Sequence, residues 1–321
     1  MNTNSRLEVF IDRVPGETRL ALTEYGKLKN LIIMSEGDKS LVGNVYFGRV
    51  EKISAGMNAA FVDIGVGISA FLPANDGQIL GQKNEKPELI NKLYKEGDKI
   101  LVQVSRDGSG HKGARLTTRI NLVGRTVIIA LGRLGISISK GISDQVICQR
   151  LKYSIRNLEN PALGLIVRTN AQCVPVSNLQ KEAKKLSNEM LKILSLSKDR
   201  NTPTCLYRQS DQILNFLRDF GSKDWQCIIV NDRPLLNKIK KYLRDYIPEL
   251  NVLPEFADDP IFLFESYNLE EQIIDLYEPI VELPSGGRLI IEETEALVAV
   301  DVDSGSYNRE SDPETFAVSV N

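Results

Sequence analysis

The best candidates for catalytic chemistry in this chain are two aspartates, two residues apart, at the end of an apolar run. Asp301 and Asp303 follow the stretch 297–300, and residues two apart on a strand point to the same face. Paired carboxylates suit a hard cation such as Mg²⁺, which takes one or two protein carboxylates together with water and phosphate oxygens. The pair therefore predicts a magnesium site for phosphodiester chemistry. A strand that ends in Asp and Gly is also an ordinary entry to a turn, and this alternative stays open.

The scarcity of histidine and the spacing of the cysteines exclude several other catalytic classes. His111 is the only histidine, which removes Ser-His-Asp catalysis, Cys-His catalysis and every multi-histidine metal site. The four cysteines are widely spaced and include no C-x-x-C pair, which is typical of reduced core residues rather than of a disulfide framework or a zinc site. Any chemistry in this chain must therefore use carboxylates, metal and water.

A β-rich block between residues 43 and 118 carries a second set of candidate residues. Phe61 and Phe71 lie in strand-like segments separated by glycine turns, as expected for a five-stranded OB-type barrel whose aromatics stack unpaired bases. Lys112 and Arg115 add two positive charges around a flexible glycine, which suits a phosphate backbone. A phenylalanine in a strand is more often a core residue, so the core alternative stays open.

Length and composition describe an ordinary globular chain. Its 321 residues, 42% of them hydrophobic and 26% charged, can form about two to three domains that each bury a core. The net charge of −2 does not indicate a nucleic-acid partner, but a locally basic groove can still bind phosphate at physiological salt. The chain has no apolar run of about 18 residues and no signal-type apolar core in 1–20, which predicts a soluble cytoplasmic protein without a membrane segment.

Hydrophobic periodicity predicts the elements that position these residues. Alternation in 7–33 predicts an antiparallel meander, and 226–247 predicts a β-turn-α unit. Residues 279–291 predict a hairpin ahead of the Asp301 strand. An amphipathic helix is predicted from apolar residues at steps of three and four, namely Leu179, Ala183, Leu186, Met190 and Leu194.

A series of short strings resembles the bacterial ribonuclease E/G family. The β block resembles the S1-type RNA-binding module that is embedded in that family, and the later strings follow in the family's order and approximate spacing. The series extends over most of the chain. Its strings lie at 43–48, 59–65, 70–73, 112–118, 135–137, 164–169, 283–287, 290–291, 294–297 and 300–305.

The resemblance implies an α+β multidomain fold. An RNase H-like scaffold would be interrupted by an OB-fold barrel and a five-prime sensor, and the start of a DNase I-like subdomain would follow. The implied boundaries are 1–39 and 205–275 for the RNase H-like scaffold, 40–119 for the OB-fold RNA-binding domain, 120–204 for the five-prime sensor and 276–321 for an incomplete DNase I-like catalytic subdomain. A meander whose β-turn-α continuation lies far downstream agrees with such an insertion.

The resemblance also implies a site for the five-prime end of RNA. Arg168 and Thr169 match residues that bind a five-prime monophosphate, and Gly135 is assigned to the same site. The chemistry agrees, because an arginine fork can bind phosphate through two hydrogen bonds and a threonine hydroxyl adds a donor.

Two further groups of residues receive implied roles. Phe61, Phe71 and Lys112 match positions that bind single-stranded RNA, by stacking and by charge neutralisation. Asp301 matches a catalytic aspartate that ligates Mg²⁺, and we assign Asp303 to the same catalytic metal site. The implied activity is Mg²⁺-dependent endonucleolytic cleavage of single-stranded RNA, including mRNA and rRNA precursors, in RNA processing and decay. The full-length form is implied to be a homo-oligomer.

Three departures from the family pattern affect these expectations. Members carry a second metal-binding aspartate on a later strand, and some carry a zinc-sharing cysteine pair, but this sequence stops at Asn321 before either. We therefore expect the isolated chain to be weakly active or inactive while it still binds RNA. Asp303 stands where the family commonly has asparagine, so it either ligates the metal or contacts metal-bound water. Ser306 stands where members often have a basic residue, which would weaken one phosphate contact.

Two other function classes remain as alternatives. A non-catalytic RNA-binding or regulatory protein would keep the barrel and the sensor without cleaving RNA. A translation-associated OB-fold factor would need no sensor and would not distinguish the chemical state of the RNA five-prime end. Cleavage in Mg²⁺ separates the first alternative from an enzyme, and replacement of Arg168 tests the second.

Overall fold

A computed structural model describes residues 6–35, 37, 40–77, 89–209, 211–283, 287–295 and 297–303. The predicted turn at 304–305, Ser306 and the 284–286 part of the predicted hairpin lie outside the described residues. The strands are β1 (Leu7–Val14), β2 (Glu17–Glu24), β3 (Lys27–Ser35), β4 (Val45–Ser54), β5 (Ala59–Asp63), β6 (Ala70–Pro73), β7 (Lys99–Arg106), β8 (Arg115–Thr117), β9 (Asn121–Val123), β10 (Val127–Leu131), β11 (Ile136–Ile138), β12 (Leu163–Val167), β13 (Thr204–Tyr207), β14 (Trp225–Val230), β15 (Pro254–Phe256), β16 (Ile280–Glu282), β17 (Arg288–Glu293) and β18 (Val298–Asp303). The helices are α1 (Ile90–Leu93), α2 (Gln145–Ile155), α3 (Val176–Lys198), α4 (Gln212–Phe220), α5 (Arg233–Tyr246), α6 (Leu263–Ser266) and α7 (Leu269–Asp275).

The chain forms two compact units, and each is assembled from segments that are distant in sequence. The first unit combines Met1–Ile33, Asp224–Leu236 and Leu253–Asn321, and the second combines Met34–Lys223 and Asn237–Val252. The five-part division predicted from the sequence is finer than this and stays a prediction. Residues 205–223, which that division assigns to the scaffold, fall in the second unit.

The first unit contains a five-stranded sheet in the order β15-β14-β1-β2-β3. Strand β1 pairs antiparallel with β2 and parallel with β14, so it is a central strand. Its residues Val9, Phe10 and Ile11 are fully buried, as a strand covered on both faces requires. The predicted meander and the predicted β-turn-α unit, β14 followed by α5, are both confirmed.

A smaller antiparallel sheet carries the predicted metal-binding strand. It has the order β16-β17-β18, and the predicted hairpin is the pair β16 and β17. Most side chains of β18 are exposed, in contrast to those of β1.

The second unit contains a closed five-stranded β-barrel. Strands β4, β5, β6, β8 and β7 follow one another around it, and pairing between β4 and β7 closes the ring. The residues inside it include Val62, Leu72, Val102 and Leu116, all essentially inaccessible to solvent. The barrel is consistent with the predicted OB-type fold. Strand β13 adds to the outer side of β4.

A four-stranded sheet in the order β11-β12-β10-β9 follows the barrel in the second unit. Helix α3 is the predicted amphipathic helix, and it buries Leu179, Ala183 and Met190 in a core shared with this sheet. At the end of α3, Ile193 is buried in the core where the sequence pattern predicts Leu194. The difference arises because a helix has 3.6 residues per turn, so its buried face drifts relative to a fixed spacing of three and four residues. Among the described residues, no helix is long and apolar enough to cross a membrane.

Candidate RNA-binding and metal sites

A row of side chains across the barrel contains both predicted stacking residues. Phe61 on β5 pairs in register with Phe71 on β6, and their ring centroids lie 6.0 Å apart in an edge-to-face arrangement. Lys52 on β4 is the register partner of Phe61, and Arg115 on β8 is that of Phe71. The flanking residues of β5 and β6 are buried, whereas the two rings are half-buried. We call Lys52, Phe61, Phe71 and Arg115 the Phe61 row. The row offers aromatic surface between two cations.

Lys112 lies in the turn that leads into β8, and its side chain is exposed. The backbone N–H of Phe71 donates a 2.8 Å hydrogen bond to the carbonyl oxygen of Ala114, which holds this turn against β6. A Cβ at Gly113 would overlap the carbonyl oxygen of Ser69. The glycine therefore permits the close approach that brings Lys112 to the end of the Phe61 row.

Arg168 lies directly after β12 and is held at one of its guanidinium nitrogens. Its Nη1 donates 2.6 Å hydrogen bonds to the Asp219 carboxylate and to the carbonyl oxygen of Gly124. Its backbone N–H donates to the carbonyl oxygen of Thr126 at 2.8 Å. Within the described part of the chain, Nε and Nη2 of Arg168 have no hydrogen-bond partner, and the side chain is 25% exposed. These two donors are the pair that can bind a phosphate.

Asp219 is ionised because two arginines lower its pKa more than burial raises it. Burial raises the pKa of this carboxyl group, but hydrogen bonds from Arg218 and Arg168 hold the pKa below its usual value. Arg218 contributes two bonds, at 2.7 Å from Nη2 and 3.1 Å from Nε. Asp219 therefore positions Arg168, and it also competes with any phosphate that binds there.

Thr169 is exposed beside the end of the neighbouring parallel strand. Its Oγ1 lies 3.0 Å from the Oγ of Ser139, whose backbone N–H donates to the carbonyl oxygen of Val167 at 2.8 Å. A Cβ at Gly141 would lie 2.8 Å from Thr169 Oγ1, so the turn after β11 passes close to this hydroxyl. The ends of two parallel strands thus place two hydroxyl groups next to Arg168. We call Arg168, Thr169, Ser139 and Asp219 the Arg168 cluster.

The structure does not bring Gly135 to this cluster. Gly135 precedes β11 and Ser139 follows it, and a strand rise of about 3.3 Å per residue separates their backbones by about 13 Å. Gly124 is the glycine beside Arg168. A Cβ at Gly124 would lie 2.6 Å from Glu182 Oε1, so a larger residue there would displace the end of the Glu182 side chain on α3.

The two aspartates of β18 share a face, as predicted, but they differ in their partners. Asp301 is opposite Ile290 and Asp303 is opposite Arg288 in the β17–β18 register. Arg288 donates to Asp303 Oδ2 from Nε at 2.9 Å and from Nη2 at 2.8 Å. Asp301 is exposed and has no hydrogen-bond partner among the described residues.

A magnesium ion fits this donor set only in part. No group of three or more His, Cys, Asp and Glu side chains that could hold a metal occurs in the ranges that the structure describes. Asp301 suits the open, water-rich coordination of Mg²⁺, which needs as few as one protein carboxylate. Asp303 is already neutralised by Arg288, so it fits a positioning role better than a ligand role.

Sequence reasoning missed several residues because their contacts depend on tertiary pairing. Ser139 meets Thr169 only through the parallel pairing of β11 with β12, and Asp219 meets Arg168 across about fifty positions of sequence. Arg288 could have been found, because the predicted hairpin and the Asp303 strand imply a cross-strand partner of opposite charge.

A barrel with a half-buried aromatic pair between cations is an arrangement found in domains that bind single-stranded nucleic acid. Comparison with known proteins gives the family. The sequence profile of the Ribonuclease E/G family matches residues 121–321. Ribonuclease G of Salmonella typhimurium (strain SL1344) is 34% identical over 307 residues, and Ribonuclease G of Escherichia coli (strain K12) is 33% identical over 307 residues. Ribonuclease E of Haemophilus influenzae is 31% identical over 317 residues.

This chain belongs to the ribonuclease E/G family, which confirms the resemblance seen in its sequence. The two ribonuclease G alignments cover 94% of this chain and 63% of each relative, and the ribonuclease E alignment covers 95% and 33%. The chain therefore spans less than two thirds of the length of these relatives.

Proposed function

We propose that this chain is the RNA-binding and five-prime-sensing part of an endoribonuclease that cleaves single-stranded RNA with Mg²⁺. The observation that carries the proposal is the relationship to ribonucleases G and E over nearly the whole chain. That relationship favours an enzyme over the non-catalytic RNA-binding alternative and over a translation-associated factor.

The Phe61 row supports the binding part of this function. Stacking on Phe61 and Phe71 tolerates any base, because every base has a flat face, and Lys52, Lys112 and Arg115 can neutralise neighbouring phosphates. Arg115 already pairs with Asp76 at 2.8 Å, so Lys52 and Lys112 are the more available cations.

The Arg168 cluster supports recognition of a five-prime monophosphate. A terminal phosphate carries more charge and more acceptor oxygens than a phosphodiester. Nε and Nη2 of Arg168 can bind two of those oxygens, and the Thr169 hydroxyl can donate to a third. A five-prime hydroxyl offers neither charge nor the same acceptors, so the cluster would distinguish the two ends.

For the metal, Asp301 would hold Mg²⁺ and Arg288 would fix Asp303 beside it. The ion would supply an activated water and charge stabilisation at the scissile phosphate.

We also propose that the β15-β14-β1-β2-β3 sheet is the RNase H-like scaffold and that β16 to β18 begin the DNase I-like subdomain. The mixed strand directions of the first sheet support the former. Cytoplasmic location and homo-oligomer formation are also proposals.

The test is a denaturing-gel time course on a short A/U-rich single-stranded RNA with either a five-prime monophosphate or a five-prime hydroxyl, in Mg²⁺ and in chelator. We expect the isolated chain to cleave weakly or not at all, so the assay is repeated on a hybrid that appends the E. coli ribonuclease G segment beyond the matched region. The hybrid should cleave the monophosphate form faster than the hydroxyl form, and only with Mg²⁺. Arg168→Gln should remove the preference for the monophosphate, and Asp301→Asn should remove cleavage. An active hybrid that cleaves both RNAs equally would contradict the sensor, and no cleavage by the hybrid would contradict the enzyme.

A further inference from the structure

A cavity of about 650 Å³ lies within the second unit, beside the Arg168 cluster. Its walls come from helices α3 and α4, from the second half of α5, from the end of β13 and from the strand end at Val123 and Gly124. The Phe61 row and the predicted site residues do not line it. Its volume is in the range of ordinary ligand sites, which is about 300–1,000 Å³.

Positive charge dominates the walls of this cavity. Six cationic side chains and three carboxylates line it. Three of the cations have carboxylate partners, since Lys238 pairs with Asp211, Arg244 with Asp245, and Arg218 with Asp219. The other three are Lys181, Lys185 and Lys241, and they pair with no carboxylate in the part of the chain that the structure describes.

The carboxylates of the cavity do not cancel this excess. Glu182 accepts hydrogen bonds from the backbone N–H groups of Arg125 and Thr126, at 2.7 and 2.8 Å, so it serves the backbone. Glu189 is the single lining carboxylate without such a partner among the described residues. The lining side chains therefore keep a net positive formal charge, six cations against three carboxylates, which favours an anionic ligand.

Two of the three tyrosines that line the cavity stack on each other, which leaves less aromatic surface for a base. Tyr246 stacks on Tyr242 with ring centroids 4.9 Å apart, and the Nζ of Lys185 lies 3.7 Å from the centroid of the Tyr246 ring. Both faces of Tyr246 are therefore occupied, and the cation–π contact fixes Lys185 toward the cavity. Burial raises the pKa of Tyr242 to about 12, so its hydroxyl stays a neutral hydrogen-bond donor. Such a site recognises phosphate without reading sequence.

The position of the cavity indicates which phosphates it would take. Gly124 lines the cavity, and its carbonyl oxygen accepts the hydrogen bond from Arg168. Val123 also lines it and accepts a 3.1 Å hydrogen bond from Arg218, which in turn holds Asp219. The cavity and the Arg168 cluster thus share a wall and an arginine network.

We propose that this cavity binds backbone phosphates of the RNA strand whose five-prime end is held at Arg168, through Lys181, Lys185 and Lys241. The proposal rests on the proposed function, because it requires an RNA end at the Arg168 cluster. It adds a second contact region that would make five-prime recognition depend on the nucleotides next to the end as well as on the end itself.

The test compares Lys181→Gln/Lys241→Gln with a matched control, Lys184→Gln/Lys240→Gln. The control carries the same change on the same two helices, at exposed lysines that do not line the cavity. Fluorescence anisotropy with the 321-residue chain measures binding of a short single-stranded RNA that bears a five-prime monophosphate or a hydroxyl, over a range of salt concentrations. Adenosine diphosphate serves as a free-nucleotide competitor.

We expect the cavity variant to bind the monophosphate RNA about tenfold more weakly than wild type, with a salt slope smaller by about 1.4 for two lost single-strand contacts. The loss should be smaller for hydroxyl RNA, because Arg168 does not place that strand beside the cavity. The control should bind like wild type.

Three outcomes would overturn the proposal. Equal RNA binding by the cavity variant and the control would overturn it while the proposed function stands. Binding of adenosine diphosphate that is lost in the cavity variant, with RNA binding unchanged, would make the cavity a free-nucleotide site instead. No RNA binding by wild type and control alike would overturn the proposed function and this inference with it.

Discussion

Arg288 holds the Asp303 carboxylate through two hydrogen bonds of 2.9 and 2.8 Å, across the β17–β18 pair. Asp301, two residues earlier on the same face, has no such partner among the described residues. The two carboxylates look equivalent in the sequence, but only the charge of Asp303 is neutralised by a neighbouring arginine.

This difference predicts unequal effects on metal binding. Asp301→Asn should weaken binding of Mg²⁺, or of Mn²⁺ as a probe, by about 100-fold, whereas Asp303→Asn should weaken it by only about tenfold. Electron paramagnetic resonance of free Mn²⁺ measures this on the chain directly, without cleavage. Equal losses in both variants would show that Asp303 is a ligand despite Arg288.

The Phe61 row predicts a loss of RNA affinity without a loss of fold. Phe61→Leu removes one stacking surface at a half-buried position, and we expect binding of single-stranded RNA to weaken by about 1–3 kcal/mol. Tyr153→Leu, at an exposed position on α2, is the control and should leave affinity unchanged. Anisotropy titration measures both. If Phe61→Leu binds like the control, the row is not a stacking surface.

The low pKa of Asp219 predicts how stability changes with pH. The folded chain binds a proton at Asp219 less readily than the unfolded chain does, so Asp219 stabilises the fold above its unfolded pKa and loses this effect as pH falls through the lower folded pKa. Urea unfolding of wild type and Asp219→Asn should differ most near pH 6, and the difference should shrink below about pH 4. A difference that does not depend on pH would contradict the ionised state of Asp219.

Because Gly113 is in close contact with Ser69, any side chain at position 113 should lower the stability of the fold. Gly113→Ala forces the turn away from Ser69, and we expect the free energy of unfolding to fall by about 1–3 kcal/mol together with RNA affinity. A Cβ at Gly56 meets nothing within 4 Å, so Gly56→Ala should change stability by less than about 0.5 kcal/mol. Urea unfolding of both variants measures the contrast. Equal stability would mean that the turn can move freely.

Much of the fold could be predicted from local pattern. The meander, the amphipathic α3 and the β14–α5 unit each have a periodicity that a single segment displays. The closure of the barrel by β4 and β7 could be expected only from the OB-type fold predicted for the whole β block, because that pairing joins strands that are far apart in sequence.

The site divides in the same way. Phe61 and Phe71 are visible in the sequence as residue types that suit RNA, and Arg168 and Thr169 are assigned through the resemblance to the family. Their partners are not, because the contacts of Arg168 with Asp219 and Gly124 arise from chain segments that no local pattern connects. Gly135 shows the limit clearly: it directly precedes β11, whereas Ser139, which meets Thr169, follows that strand.

The pairing of β1 with β14 also determines when the first unit can form during synthesis. Strand β1 is complete once Val14 has left the ribosome, but its parallel partner contains Trp225 and is made only after the whole barrel and α3. Until then the meander presents β1 as an unpaired edge, which is a template for wrong strand pairing. Translation order therefore makes the barrel available for folding first, while the β1 edge stays open until the downstream strand has been made.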